Sequence, residues 1–220
     1  MKKEVVASMI DHTCIKLTAD YSRIKNTCFE ASKYNFATVA VHPAFITFAK
    51  KLLGDSDVGI TAAIAFPFGS WDAEMKVFEI RDAIDKGATE CDFVINIGAL
   101  KDKKYDVVKR EMELIRKTCK NIVVKSIIEV GLLSEDEIVK ACELGAEAGL
   151  DFIKTCTGFF YKPTPEIARL MSNTLKNTST KLKVSGGIRT AENAKVMIEA
   201  GAKRLGSSFG VDIIEGWEEE

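Results

Sequence analysis

The chain has 220 residues, 46% hydrophobic and 29% charged, with a formal net charge of -1 at pH 7. That balance offers no broad basic field for nucleic-acid phosphates or an anionic membrane surface, and no stretch approaches the roughly 20 apolar residues that a membrane helix needs. Six cysteines without a CxxC pair, and a start that lacks a long apolar signal core, lead us to expect a reduced, cytoplasmic protein.

Short apolar runs alternate with amphipathic stretches along the whole chain. Taken in order, the predicted strands are Met9 to Asp11, Ala37 to Val41, Gly59 to Ala65, Cys91 to Asn96, Ile122 to Ile128, Asp151 to Lys154, Lys181 to Val184 and Arg204 to Gly206. Helical patterns separate them, as in repeated βα units around a parallel sheet. At three junctions, Lys86-Gly-Ala-Thr, Glu147-Ala-Gly-Leu and Glu199-Ala-Gly-Ala, a glycine stands where a helix should stop and a left-handed cap should form. Eight such units with no Pro- or Ser-rich linker predict one domain over residues 1 to 220, a (β/α)8 TIM barrel. An open doubly wound sheet is the alternative. In a barrel, the chemistry belongs at the C-terminal ends of the strands.

Lys125, Lys154 and Lys183 recur at an interval of 29 residues, one βα unit, and each falls on a successive strand. Lysine is depleted in strands and is almost never buried unpaired, so three on neighbouring strands need a reason. Any one of them could snorkel outward to solvent. As a set they predict an interior cluster in which desolvation and like charge favour a neutral amine, able to attack a carbonyl. Lys154, at a strand end before Thr-Cys-Thr-Gly, is the one a substrate could reach, and Lys183 is its expected cationic neighbour. Asp92, on an apolar strand, needs a cationic partner and is a candidate for proton transfer. Asp11 is a weaker candidate for the same role.

Ser185 to Thr190 follows the seventh strand and Gly206 to Gly210 the eighth, the two loops from which barrels often build a phosphate site. Gly186 and Gly187 let backbone N–H groups approach an anion, and Ser207 and Ser208 add hydroxyl donors. Neither His12 nor His42 stands at metal-ligand spacing, so neither a metal nor another cofactor is expected.

These residues together resemble the deoxyribose-phosphate aldolase family, from Ile10-Asp11-His12-Thr13 to Gly210-Val211. The resemblance is carried by FPFG at Phe66 to Gly69, DFVINIGALK at Asp92 to Lys101, KSIIEVGLL at Lys125 to Leu133, FIKTCTG at Phe152 to Gly158 and SGGIRT at Ser185 to Thr190. It implies a class I aldolase without a metal, which splits 2-deoxy-D-ribose 5-phosphate into D-glyceraldehyde 3-phosphate and acetaldehyde during deoxyribonucleotide catabolism. It also implies that Lys154 forms the Schiff base, that Lys183 lowers its pKa and that Asp92 moves protons. Lys125, Thr157 and Gly158 would line the substrate, Gly186, Gly187, Ser207 and Ser208 would hold its phosphate, and family habit suggests a homo-oligomer, dimer or tetramer. Phe209 departs from the family pattern by standing where a serine is usual, and is expected to reshape the phosphate pocket. A Schiff-base aldolase for another or a non-phosphorylated substrate, and a sugar-phosphate binding barrel without catalysis, remain the rival expectations.

Overall fold

A computed structural model of the chain describes residues 1–219; Glu220, the last residue of the expected domain, lies outside them. Eight parallel strands pair in sequence order, and the first also pairs with the last, closing the barrel. They are β1 (Ile10–Cys14), β2 (Thr38–Val41), β3 (Gly59–Ile64), β4 (Glu90–Val94), β5 (Val123–Ile127), β6 (Phe152–Lys154), β7 (Lys181–Ser185) and β8 (Arg204–Ser207). Every predicted strand is present, and the closed topology rules out the open sheet.

Strand limits differ most at β1, which runs on through His12 and Thr13 to Cys14. Those residues lie beyond the predicted end of the strand at Asp11. Parallel hydrogen bonding to β2 on one side and β8 on the other keeps them extended.

The helices are α1 (Lys3–Ala7), α2 (Tyr21–Tyr34), α3 (Ile46–Leu53), α4 (Ala73–Asp85), α5 (Ile97–Lys101), α6 (Tyr105–Thr118), α7 (Glu135–Glu147), α8 (Pro165–Leu175), α9 (Ala191–Glu199) and α10 (Gly210–Glu215). Several start on side-chain caps that satisfy amides with no partner inside the helix. Asp72 accepts from Met75 N, Thr164 from Ile167 N ahead of Pro165, and Ser134 with Glu137 forms a reciprocal capping box at α7. The three junction glycines, Gly87, Gly149 and Gly201, take φ of 108°, 72° and 110°, where a side chain would be strained. No helix among the described residues is long and apolar enough to cross a membrane.

Side chains alternate along each strand. Cys91, Phe93, Val124, Ile153, Leu182, Val184 and Leu205 join the hydrophobic layer beneath the helices. The intervening residues point inward. There the barrel is filled by charge, with Asp11, Asp92, Lys125 and Lys183 all buried.

The helix layer holds a buried pair of its own. Lys76 on α4 donates to Glu111 Oε1 of α6 at 2.6 Å and to Val94 O at 2.8 Å, while Glu111 Oε2 accepts from Asn96 N at 3.0 Å. The pair therefore fastens both helices to the end of β4. Burial lowers the Lys76 pKa and raises that of Glu111.

Candidate active site

Asp92 is the centre of the interior array. Its Oδ2 accepts from Lys154 Nζ at 2.8 Å and from Lys183 Nζ at 2.7 Å, and its Oδ1 accepts from Lys125 Nζ at 2.9 Å. Strand register explains the convergence, since Asp92 lies beside Lys125 across β4 and β5, and Lys154 beside Lys183 across β6 and β7. Lys125 is level with Phe152, two residues deeper than Lys154.

The array extends further down the barrel. Asp11 Oδ2 accepts from Lys183, and Asp11 Oδ1 from Arg204 Nη1 at 2.7 Å and Thr38 Oγ1 at 2.9 Å. Glu90 Oε2 lies 2.5 Å from Lys125 Nζ, and Glu90 Oε1 accepts from Arg204 Nη2 at 3.3 Å. Four cationic side chains thus share three carboxylates.

The surroundings decide each proton affinity. For Lys183, burial outweighs the pull of Asp11 and Asp92, and the ammonium is pushed down to about 8. For Lys125, burial is overcome by Asp92, Asp11 and Glu90 together, which hold its pKa above the usual lysine range. Burial alone would raise Asp92, but Lys125, Lys154 and Lys183 hold its carboxyl well below the usual carboxylate range. Asp11 is likewise held low against burial, mainly by Lys183. Asp92 is therefore ionised at neutral pH and accepts from three lysine Nζ atoms at once.

A cleft of about 200 Å³ opens over this array at the C-terminal ends of the strands. Lys154, 4% exposed, is the member of the array that lines it. From Lys154 the cleft runs past Thr157 and Gly158 to Gly186 and Gly187 after β7 and Ser207 and Ser208 after β8. Seven of the ten residues singled out from sequence line this one cleft, and Asp92 and Lys183 lie directly beneath it. Ser207 Oγ donates to Ile188 O at 2.6 Å and Ser208 Oγ to Thr13 O at 2.7 Å, so the two hydroxyls tie loops together.

Lys125 departs from expectation. It is fully buried beneath Asp92, bonded to carboxylates and to Thr61, and does not line the cleft. Its role in the structure is to balance charge below the site.

Phe209 lines the end of the cleft formed by the loops after β7 and β8, where its ring centroid lies 5.2 Å from the Arg189 guanidinium carbon. The aromatic face thus holds a cation at the rim through a cation–π contact. Lys16 adds a second cation there.

Several contributors escaped the sequence reading. Glu90 and Arg204 complete the array, and period 2 from Asp92 would have placed Glu90 on the same face. Glu129 follows β5 in the left-handed region at φ 52°, and its Oε2 accepts from Thr157 N at 3.0 Å and Thr157 Oγ1 at 2.6 Å. It thereby fixes the turn after Lys154, while its buried Oε1 has no partner.

Comparisons with known proteins bear on the same site. A profile of the DeoC/LacD family aldolases matches residues 5–215. The chain is 48% identical over 210 residues to deoxyribose-phosphate aldolase 1 of Mesoplasma florum, with 95% of each chain covered. It is also 48% identical over 216 residues to the deoxyribose-phosphate aldolase of a Thermoanaerobacter species, with 96% of each covered. The tetrameric deoxyribose phosphate aldolase from Aeropyrum pernix has the same fold, with a TM-score of 0.91 at 30% identity over 97% of this chain and 91% of that one. With a closed barrel, a lysine at the floor of its cleft and these relatives along nearly its whole length, the chain belongs to the DeoC/LacD family of aldolases.

Proposed function

We propose that this chain is a class I aldolase that reversibly cleaves 2-deoxy-D-ribose 5-phosphate into D-glyceraldehyde 3-phosphate and acetaldehyde. The observation that carries the reading is Lys154, the one member of the buried array that lines the cleft.

In this mechanism Lys154 Nζ, as the free amine, adds to the C1 aldehyde of the open-chain sugar. Loss of water from the carbinolamine gives an iminium. The iminium draws in the electrons of the C2–C3 bond as the C3 hydroxyl loses its proton, releasing glyceraldehyde phosphate and leaving a two-carbon enamine on Lys154. Protonation at C2 and hydrolysis return acetaldehyde and the amine. Asp92, ionised and hydrogen-bonded to both Lys154 and Lys183, is the group that takes and returns protons, directly or through water. Lys183 keeps a further cationic side chain beside Lys154, the two sharing Asp92 Oδ2.

The phosphate end is the loop pair after β7 and β8. The glycine amides at Gly186 and Gly187 approach the anion, and Lys16 and Arg189 supply charge at the rim. Lys125 supports the substrate from below by holding Asp92. The chain works as one domain, without a metal, in the cytoplasm, and as a homo-oligomer; the Aeropyrum pernix relative is a tetramer.

Borohydride trapping with acetaldehyde, followed by peptide mass mapping, tests the mechanism. A reduced adduct on Lys154 is expected. Its absence, or full activity in Lys154→Ala, overturns the reading. Phe209 motivates one rival, an aldolase for a non-phosphorylated substrate. Cleavage of deoxyribose 5-phosphate should exceed that of deoxyribose by at least about 100-fold, the scale of losing one desolvated charge contact.

A further inference from the structure

Two aromatic rings meet across the mouth of the barrel. Phe66, just after β3, and Phe159, in the turn after β6, lie with centroids 5.5 Å apart and planes at 77°. Their strands are separated by β4 and β5, so the contact crosses above the ends of the strands that carry Asp92 and Lys125. Neither ring belongs to the hydrophobic core. Phe159 is 38% exposed and lines the same cleft as Lys154.

The pair is held from both sides. His42, after β2, meets Phe66 edge to face at 5.9 Å, and its Nε2 is hydrogen-bonded to Ile15 O at 2.9 Å. Phe160 continues the row to Phe68 at 6.1 Å. Aromatic pairs in such edge-to-face geometry resist separation beyond the area they bury.

This position matters for which carbonyl compound can sit on Lys154. On the Schiff-base reading above, the acceptor portion runs from Lys154 toward the loops after β7 and β8. The remaining substituent on the carbon bound to Nζ, and any branch on the next carbon, must therefore point the other way. Acetaldehyde presents only hydrogen there. A ketone or a longer aldehyde presents a methyl group, which needs about 4 Å of clearance from carbon neighbours.

We infer that the Phe66–Phe159 ring pair is a specificity-determining gate that limits the donor condensed on Lys154 to a two-carbon aldehyde. The inference rests on the Schiff-base reading but concerns a different wall of the cleft. Neither ring exchanges a proton with substrate; each acts by excluding volume.

Enamine formation can be read without an acceptor. In D2O the iminium loses a proton from its α-carbon and the enamine takes up a deuteron, so each donor gains deuterium by proton exchange alone. The experiment measures this exchange by NMR for acetaldehyde, propanal and acetone in the wild type, Phe159→Ala and Phe66→Leu. The leucine variant keeps an apolar side chain in case truncation harms folding, and circular dichroism checks the fold of both. We expect the ratio of larger-donor to acetaldehyde exchange to rise tenfold or more in each variant. The double variant should gain less than the product of the two single effects, because opening either ring removes the same contact. A ratio within twofold of wild type in both folded variants overturns the gate. Trapping separates the two claims: an acetaldehyde adduct on Lys154 with an unmoved ratio sinks the gate alone, whereas no adduct removes the Schiff-base reading as well.

Discussion

Two sets of buried charge lie a few residues apart in this molecule, and they are built differently. In the helix layer, Lys76 and Glu111 match one cation to one carboxylate, and Val94 O and Asn96 N complete their hydrogen bonds. Inside the barrel, four cations share three carboxylates, and Lys154 reaches the cleft. The first set is closed and can only hold. The second carries an unmatched charge next to an opening, which is the condition for chemistry. Burial of charge by itself therefore does not mark an active site; imbalance with access does.

The comparison breaks most visibly at Lys154. Lys154→Ala should lower cleavage of deoxyribose 5-phosphate by about 1,000-fold or more, because covalent catalysis loses its nucleophile while the fold survives. Steady-state assay with a thermal melt checks both halves. Asp92→Asn should follow at about 100-fold or more, the scale of general acid–base contributions.

For the helix-layer pair the expected effect is on stability. Lys76→Met should cost about 3–5 kcal/mol in urea unfolding by stranding Glu111, and the double variant Lys76→Met with Glu111→Leu should recover most of it. If the double variant stays as unstable as the single one, the pair contributes more than mutual neutralisation.

A finer test uses pH. Lys183 sits at about 8 when folded, against 10.5 for an unburied lysine. Between those values the unfolded chain binds a proton that the folded chain does not, so this group makes stability rise with pH across pH 8 to 10.5. Below pH 8 both states are protonated and the burial cost is fully felt. Lys183→Met should remove that upward slope, read as urea unfolding free energy against pH relative to wild type.

The smallest effect belongs to Glu129, which holds Thr157 rather than substrate. Glu129→Gln keeps one acceptor oxygen but loses the charge, and should reduce kcat/KM about 3- to 10-fold, in line with charged hydrogen bonds worth ~1.5–3 kcal/mol, part of which glutamine retains.

Much of this was legible beforehand because a parallel barrel writes itself as eight apolar runs, and because lysine is out of place on them. Lys154, Lys183 and Asp92 were found through that misfit. Glu90 was hidden by Gly-Ala-Thr, which reads as the tail of a helix junction, and Arg204 by its place at the first residue of β8. Lys125 was assigned the wrong depth, since sequence spacing gives a residue's strand but not the stagger between strands. Lys76 and Glu111 are far apart in sequence and lie on ordinary amphipathic helices, so nothing local announces that they meet. The ring contact between Phe66 and Phe159 is similarly invisible until the loops are folded over the mouth.

The four-to-three count of charges in the barrel has a consequence for the reaction coordinate. With Lys154 as an iminium the array carries one excess positive charge, as it does with the ammonium. Breaking the carbon–carbon bond turns that iminium into a neutral enamine while the C3 hydroxyl proton passes to Asp92, so Lys125, Lys183 and Arg204 then face Asp11 and Glu90. The array thus keeps the same net charge on both sides of the step, and bond breaking moves charge within the buried interior without adding any to it.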